Sequence, residues 1–207
     1  MKIIEPSYEI LKLPNNPLQL LELAARTCYK SEDRMGPGTD IIMIQKILDN
    51  QHESVIEHTS MTVKFICDRG VSHELVRHRL ASFSQESTRY CNYTKGKFGN
   101  EITVIRPCFW LGNIVQYFEW YKICESCEKG YFHLIQLGAK PQEARSVLPN
   151  SLKTEIIMTA NLREWRHIFR LRTSRAAHPQ MRQLMIPLLA ECKTKIPVIF
   201  NDINNEE

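Results

Sequence analysis

Along residues 59–68 apolar side chains alternate with polar ones: Met61, Val63, Phe65 and Cys67 interleave with Thr62, Lys64 and Asp68, and Ile66 alone breaks the rhythm. A period of two predicts a half-buried strand, which Gly70 should end. Residues 154–160 (Thr-Glu-Ile-Ile-Met-Thr-Ala), rich in β-branched side chains, predict a strand leading into Asn161, and residues 101–105 predict another. Elsewhere the spacing widens to three and four. A helix carrying Leu20, Leu21, Leu23 and Ala24 is expected from Asn16, with Pro17 at its first position, and one carrying Ile41, Ile44 and Leu48 from Thr39.

Further along, Ser72 can cap a short helix through Leu80, and residues 82–93, polar and without helical periodicity, are expected as an ordered loop. Residues 110–137 predict one or two helices interrupted near Gly130. Pro141 opens a helix through Leu148 that Pro149-Asn150 breaks. Asn161, with Glu164 three residues on, resembles a capping box that places a helix start at Leu162. Pro179 opens a last helix, which Pro187 should kink. No repeat, low-complexity tract or linker divides the chain, so a single domain over 1–207 is expected. The fold class is α/β (α+β), an antiparallel or mixed sheet with packed helices.

Composition narrows the class. With 207 residues, 43% of them hydrophobic, the chain can bury a globular core, and no stretch approaches the roughly 20 apolar residues of a membrane span. The start, Met-Lys-Ile-Ile-Glu-Pro, lacks the apolar run of a signal peptide, so a cytoplasmic enzyme is expected. Seven cysteines, an odd number without regular spacing, read as free thiols. The one close pair, Cys124 and Cys127, has no second pair with which to build a zinc ribbon. A net charge of +4 is mild, but the arginines cluster, which implies anionic ligands.

Two segments carry the chemistry. In the first, Arg77, His78 and Arg79 abut a loop of small donors and acceptors containing Gln85, Glu86, Ser87, Thr88 and Arg89. Arginine forks bind phosphate bidentately and hydroxyls or amides read a base or ribose edge, which suits a nucleotide. A solvated helix end followed by a surface loop is the plain alternative. In the second, residues 161–172, Leu162, Trp165 and Phe169 mark an apolar stripe, and Arg172 falls on the same side. A cation there either meets the carbonyls at the helix end or points into a site where an anion awaits it. Arg163 and His167, four apart on a neighbouring face, offer a second donor pair. There is no glycine-rich phosphate loop, nucleophile elbow or metal-binding His-Glu-x-x-His, and His52 and His58 stand too far apart to share a helical face. No metal is expected.

Arg77-His78-Arg79, seven residues and Ser87 together resemble the signature of the flavin-dependent thymidylate synthases, continued in Thr88-Arg89-Tyr90. Residues 52–58 (His-Glu-Ser-Val-Ile-Glu-His), 144–149 (Ala-Arg-Ser-Val-Leu-Pro) and the helix from Asn161-Leu162-Arg163 to Arg172 resemble three further segments of that family, in the same order. The resemblance implies a homotetramer whose active sites, shared between subunits, are built round FAD. It gives Arg77, His78 and Arg79 to the flavin, with Ser54 and Gln85 reaching it from a neighbouring chain and Asn161, Leu162, Arg163 and His167 from the late helix. Glu74, Arg77, Gln85, Glu86, Ser87, Thr88, Arg89, Arg145 and Arg172 would hold dUMP, with Arg172 catalytic beside the uracil. The implied reaction methylates dUMP to dTMP with 5,10-methylenetetrahydrofolate as carbon donor and NADPH as the source of electrons for FAD, and no cysteine attacks the base.

Glu74, Gln85 and His167 stand where some members carry glutamine, glutamate and asparagine, each substitute keeping its hydrogen-bonding capacity. A histidine at 167 predicts a modest pH effect on flavin affinity. Two other functions stay open: the same scaffold acting on dCMP or leaving a hydroxymethyl group, and an RNA-binding module in which Tyr90, Tyr93 and Phe98 stack bases beside Arg89, Lys95 and Lys97.

Overall fold

A computed structural model describes residues 1–204, apart from the side chain of Lys97, so that member of the RNA-binding set lies outside the described residues. Helices and strands alternate along the chain as β1 (Lys2–Ile4), β2 (Ser7–Lys12), α1 (Pro17–Thr27), α2 (Thr39–Asp49), β3 (Ser60–Asp68), α3 (Arg69–Leu75), β4 (Ala81–Gln85), β5 (Thr103–Ile105), α4 (Ile114–Gln136), α5 (Pro141–Ala144), β6 (Lys153–Asn161), α6 (Leu162–Arg172), α7 (Pro179–Lys195) and α8 (Pro197–Phe200). One sheet has the order β2-β3-β6-β4, and β1 pairs in parallel with β5, Ile3 opposite Val104. The fold is the mixed α/β arrangement that the patterning implies.

The chain forms two compact units: Met1–Ser7, Phe65–Arg77 and Ser84–Ile157 make the first, and Tyr8–Lys64, His78–Phe83 and Met158–Glu207 the second. In the first, α4 lays Trp120, Cys124 and Tyr131 against Tyr93, Ile102, Val104 and Leu152. The Trp120 indole N–H donates to Ser151 Oγ at 2.9 Å, so the ring is buried without an orphaned donor. In the second, α1 packs on α2, and α6 packs on α7 and on the 3-10 turn Glu53–His58. Leu21, Ile44, Ile56, Met61, Trp165, Phe169, Leu188 and Phe200 are buried there, with the Phe169 and Phe200 rings meeting edge to face at 5.6 Å.

β3 follows its pattern: Met61, Val63, Phe65 and Cys67 are all fully buried. It ends at Asp68 rather than at Gly70, because the Asp68 carboxylate accepts the Val71 N–H at 2.7 Å and starts α3. The cap is therefore Asp68, not Ser72, and α3 stops at Leu75, five residues short of Leu80. Residues 82–93 are not loop throughout, since β4 takes the first of them. α4 runs unbroken through Gly130, where a single glycine costs about 1 kcal/mol, less than its buried aromatic residues contribute. α7 likewise continues past Pro187. On α1 and α2 the buried stripe is Leu21, Ala25, Ile44 and Ile47, while Leu20, Leu23 and Ile41 are exposed. β1 and β2 appear where no strand is predicted.

Candidate active site

α6 positions the residues of the second unit. Its start is fixed by the Asn161 side chain, which accepts the Glu164 N–H at 2.8 Å, and by the Leu162 N–H, which donates to the Thr59 carbonyl at 2.9 Å. Leu162, Trp165, Ile168 and Phe169 are fully buried, and the Trp165 indole donates to the Met61 carbonyl of β3. With the apolar stripe anchored, the polar faces are fixed.

At the end of that stripe Arg172, half-buried, donates from Nε to His78 Nε2 at 3.0 Å. The other ring nitrogen, Nδ1, lies 3.4 Å from Glu164 Oε1. An imidazole that accepts at Nε2 carries its proton on Nδ1, so His78 is neutral and faces the carboxylate with its N–H. Burial, then the charge of Arg172, then His167 hold the His78 pKa down at about 4. Burial raises that of Glu164, against the opposing pull of His167. The His167 ring stands edge-on to His78 at 6.1 Å, itself exposed. The cation on the apolar stripe thus has a neutral acceptor at its root. His78, Glu164 and His167 also bring ligand atoms within 4.8 Å of one another. A divalent ion there would sit next to the Arg172 guanidinium, which makes the triad a poor metal site.

A second face of α6 carries Arg163, Arg166 and Arg170, three and four residues apart. Arg166 is 1% exposed and fully paired: Asp202 accepts bidentately at 2.7 and 2.6 Å, Glu53 accepts at 3.3 Å, and the Ile199 carbonyl takes a further bond. Arg163 pairs with Glu57 at 2.5 Å, and Arg170 lies 3.6 Å from both Glu53 and Asp202. Glu53 and Glu57 belong to the turn that presents Ser54, which is exposed and lines a groove of about 850 Å³ with Arg26, Tyr29, Lys46 and His52. None of Glu53, Glu57, Arg166 and Asp202 was singled out from sequence. The paired spacings, glutamates four apart and arginines three and four apart, are the signal that could have found the first three.

The first unit holds the other polar set. Gln85, at the end of β4, donates to Ser72 Oγ at 2.8 Å and Thr154 Oγ1 at 3.2 Å, and Glu86 pairs with Lys153 at 3.0 Å. Arg145 donates to Thr88 Oγ1 at 3.2 Å, bringing together two segments 57 positions apart. Ser87 Oγ accepts the Arg89 N–H at 3.3 Å, and the Arg89 side chain meets Gln142. Glu74 lies half-buried on α3, and Arg77 closes this unit, while His78 and Arg79 open the next stretch of the other. Among the described residues the guanidinium groups of Arg77 and Arg79 have no hydrogen-bond or ion-pair partner, and both side chains are exposed. The unpaired guanidinium of Arg77 in this unit, and that of Arg79 in the other, each suit an anionic, phosphate-bearing ligand.

A mixed α/β fold with unpaired arginines beside hydroxyls and amides defines a protein suited to an anionic ligand. A family model, the thymidylate synthase complementing protein, matches residues 9–198. The flavin-dependent thymidylate synthase of Geobacter sulfurreducens is 33% identical over 93% of this chain and 84% of its own length. That of Thermococcus onnurineus is 31% identical over 88% and 76%. Among solved structures, the UMP/dUMP methylase PolB from Streptomyces cacaoi, bound with 5-Br dUMP, superposes with a TM-score of 0.80 at 24% identity, covering 97% of this chain and 96% of that one. The chain belongs to the flavin-dependent thymidylate synthase family, and its cofactor is a flavin.

Proposed function

We propose that this enzyme converts dUMP to dTMP using FAD, 5,10-methylenetetrahydrofolate and NADPH. The observation that carries the reading is the fixing of Arg172 by neutral His78 at 3.0 Å. A guanidinium set beside the N3/O4 edge of uracil stabilises the electron-rich form of the base, and C5 becomes nucleophilic enough to take the methylene carbon. The C5 proton then leaves and tetrahydrofolate departs. The flavin, when bound, supplies the hydride that completes the methyl group, with NADPH as its source of electrons.

The chain's own groups bind and orient. Arg145, Ser87, Thr88 and Arg89 are donors for the dUMP phosphate and sugar, with Glu74, Gln85 and Glu86 completing that set. Arg77, Arg79, Asn161, Leu162, Arg163 and His167 suit the flavin, and Ser54 and Gln85 reach it from a neighbouring subunit of a homotetramer. His78 serves Arg172, since both of its ring nitrogens are engaged within the protein. No cysteine has a role in this reading, and burial raises the Cys124 thiol to about 11, which keeps it protonated. Seven free thiols suit a reducing, cytoplasmic setting. The family match runs from 9 to 198 through segments of both units, which supports one catalytic domain over 1–207.

The test is the mass of the nucleotide formed anaerobically from dUMP with FAD, methylenetetrahydrofolate and NADPH. A methyl gain is expected. A hydroxymethyl product, or turnover of dCMP in place of dUMP, would replace this reading by another on the same scaffold, and colourless protein with salt-sensitive RNA affinity would replace it altogether.

A further inference from the structure

The ion network on the second face of α6 has a feature that the flavin reading does not use. Three arginines from one helix converge on two carboxylates of one short turn, and the only fully buried cation among them, Arg166, takes its bidentate partner from the far end of the chain, at Asp202. Asp202 also lies beyond the stretch matched by the family model, which ends at 198. We propose that Asp202 is a positioning residue for the flavin site, acting through Arg166 on Glu53 and so on the turn that presents Ser54. This rests on the assignment of Ser54 to the flavin.

The argument is one of geometry and charge. Arg166 is held by three anionic or carbonyl partners, and its Nη2 lies 2.6 Å from Asp202 and 3.2 Å from Glu53. A guanidinium has a rigid planar fork, so the direction taken by one edge dictates where the other edge presents its protons. Asp202 clamps the Nη1/Nη2 edge bidentately, and Nε and Nη2 are thereby aimed at Glu53 Oε1. Glu53 opens the turn 53–58, and Ser54 follows it directly. The turn is short and of 3-10 type, without a capping side chain, so its placement depends on such outside contacts. Asp202 is about half exposed, but the Arg166–Glu53 pair that it steers is buried at the arginine and largely covered at the glutamate, and so is screened little by salt. Glu57 with Arg163 supplies a second tether at the other end of the turn, but both of those side chains are about half exposed, and the pair contributes little by itself. Ile56 anchors the middle of the turn in the core, and the clamped Arg166 is the buried polar contact at its first residue.

The test compares Asp202→Asn, Asp202→Glu, Ser54→Ala and the Asp202→Asn/Ser54→Ala double variant in the full chain, reading the FAD dissociation constant by flavin fluorescence well below the melting temperature. Asp202→Asn is expected to weaken FAD binding about tenfold, Asp202→Glu to restore most of it, and the double variant to be no weaker than the weaker single one, because both changes act on the same contact. If Ser54→Ala weakens binding and Asp202→Asn does not, or if the two losses multiply in the double variant, the relay is overturned while the flavin assignment stands. If Ser54→Ala leaves affinity unchanged, the assignment of that turn to the flavin fails first, and the relay with it. A lower melting temperature for Asp202→Asn with unaltered FAD affinity would make the clamp a matter of stability alone.

Discussion

The two polar regions differ in how they are held. Around α6, charge meets charge: Arg166 is buried and saturated, Arg163 and Arg170 share carboxylates with it, and Arg172 is set against a neutral histidine. After β4, apart from the Glu86–Lys153 ion pair, the contacts are hydrogen bonds among hydroxyls, amides and arginines: Arg145 to Thr88 and Gln85 to Ser72, both part-buried, and Arg89 to Gln142, exposed. In the first region the charges are already paired within the chain. The second has donors that exchange a weak internal partner for a phosphate at small cost, since a neutral hydrogen bond contributes only about 1 kcal/mol net. Preorganised groups suit a role in the transition state and exchangeable ones suit capture of substrate.

Four experiments would break or sharpen that contrast. Arg172→Ala should lower single-turnover dTMP formation by about 100- to 1,000-fold, the loss typical of one preorganised donor, with the flavin spectrum retained. Turnover that survives would remove α6 from the chemistry. Next comes acid. His78 is neutral when folded, with its pKa displaced from 6.5 to about 4, so the unfolded chain binds more protons between those values. The stability it contributes is complete above pH 6.5 and is lost as the pH falls towards 4, by about 3 kcal/mol. Urea midpoints across that window should show the slope, and His78→Gln should flatten it. Arg145→Ala should raise the dUMP dissociation constant by about 10- to 100-fold, the worth of a charge-assisted contact, and leave FAD affinity as it was. Thr88→Val, which removes the hydroxyl that steadies Arg145 and serves as one neutral dUMP donor, should cost about 1 kcal/mol in dUMP binding by calorimetry.

Much of this was legible in the chain. β3 and α6 announced themselves because each has one buried face repeated often enough to fix a period, and the Asn161 cap was readable from its spacing to Glu164. β4 escaped because it ends the sheet order: Ala81, Phe83 and Gln85 are half-buried while Ser82 and Ser84 face solvent, an alternation too weak in hydrophobicity to read as a strand. β1 and β2 are short, and β2 also lies at an edge. Of the site, the residues with unusual chemistry for their place stood out, Arg172 above all. His78 stood out as part of Arg77-His78-Arg79, but its pairing with Arg172 did not, because a contact across 94 positions leaves no local trace. The Asp202 clamp was hidden for the same reason, its carboxylate 36 residues from the arginine it holds.

That separation also bears on the order in which the chain acquires its structure. During synthesis α6 emerges after Glu53 and before Asp202, so Arg166 first meets one carboxylate and must wait for the second. Domains fold largely as they are made, at about 5–20 residues per second, which gives a nascent chain some seconds with a charged side chain only half compensated. Through that interval Glu53 alone answers the charge of Arg166, and Asp202 completes the pairing once it is made.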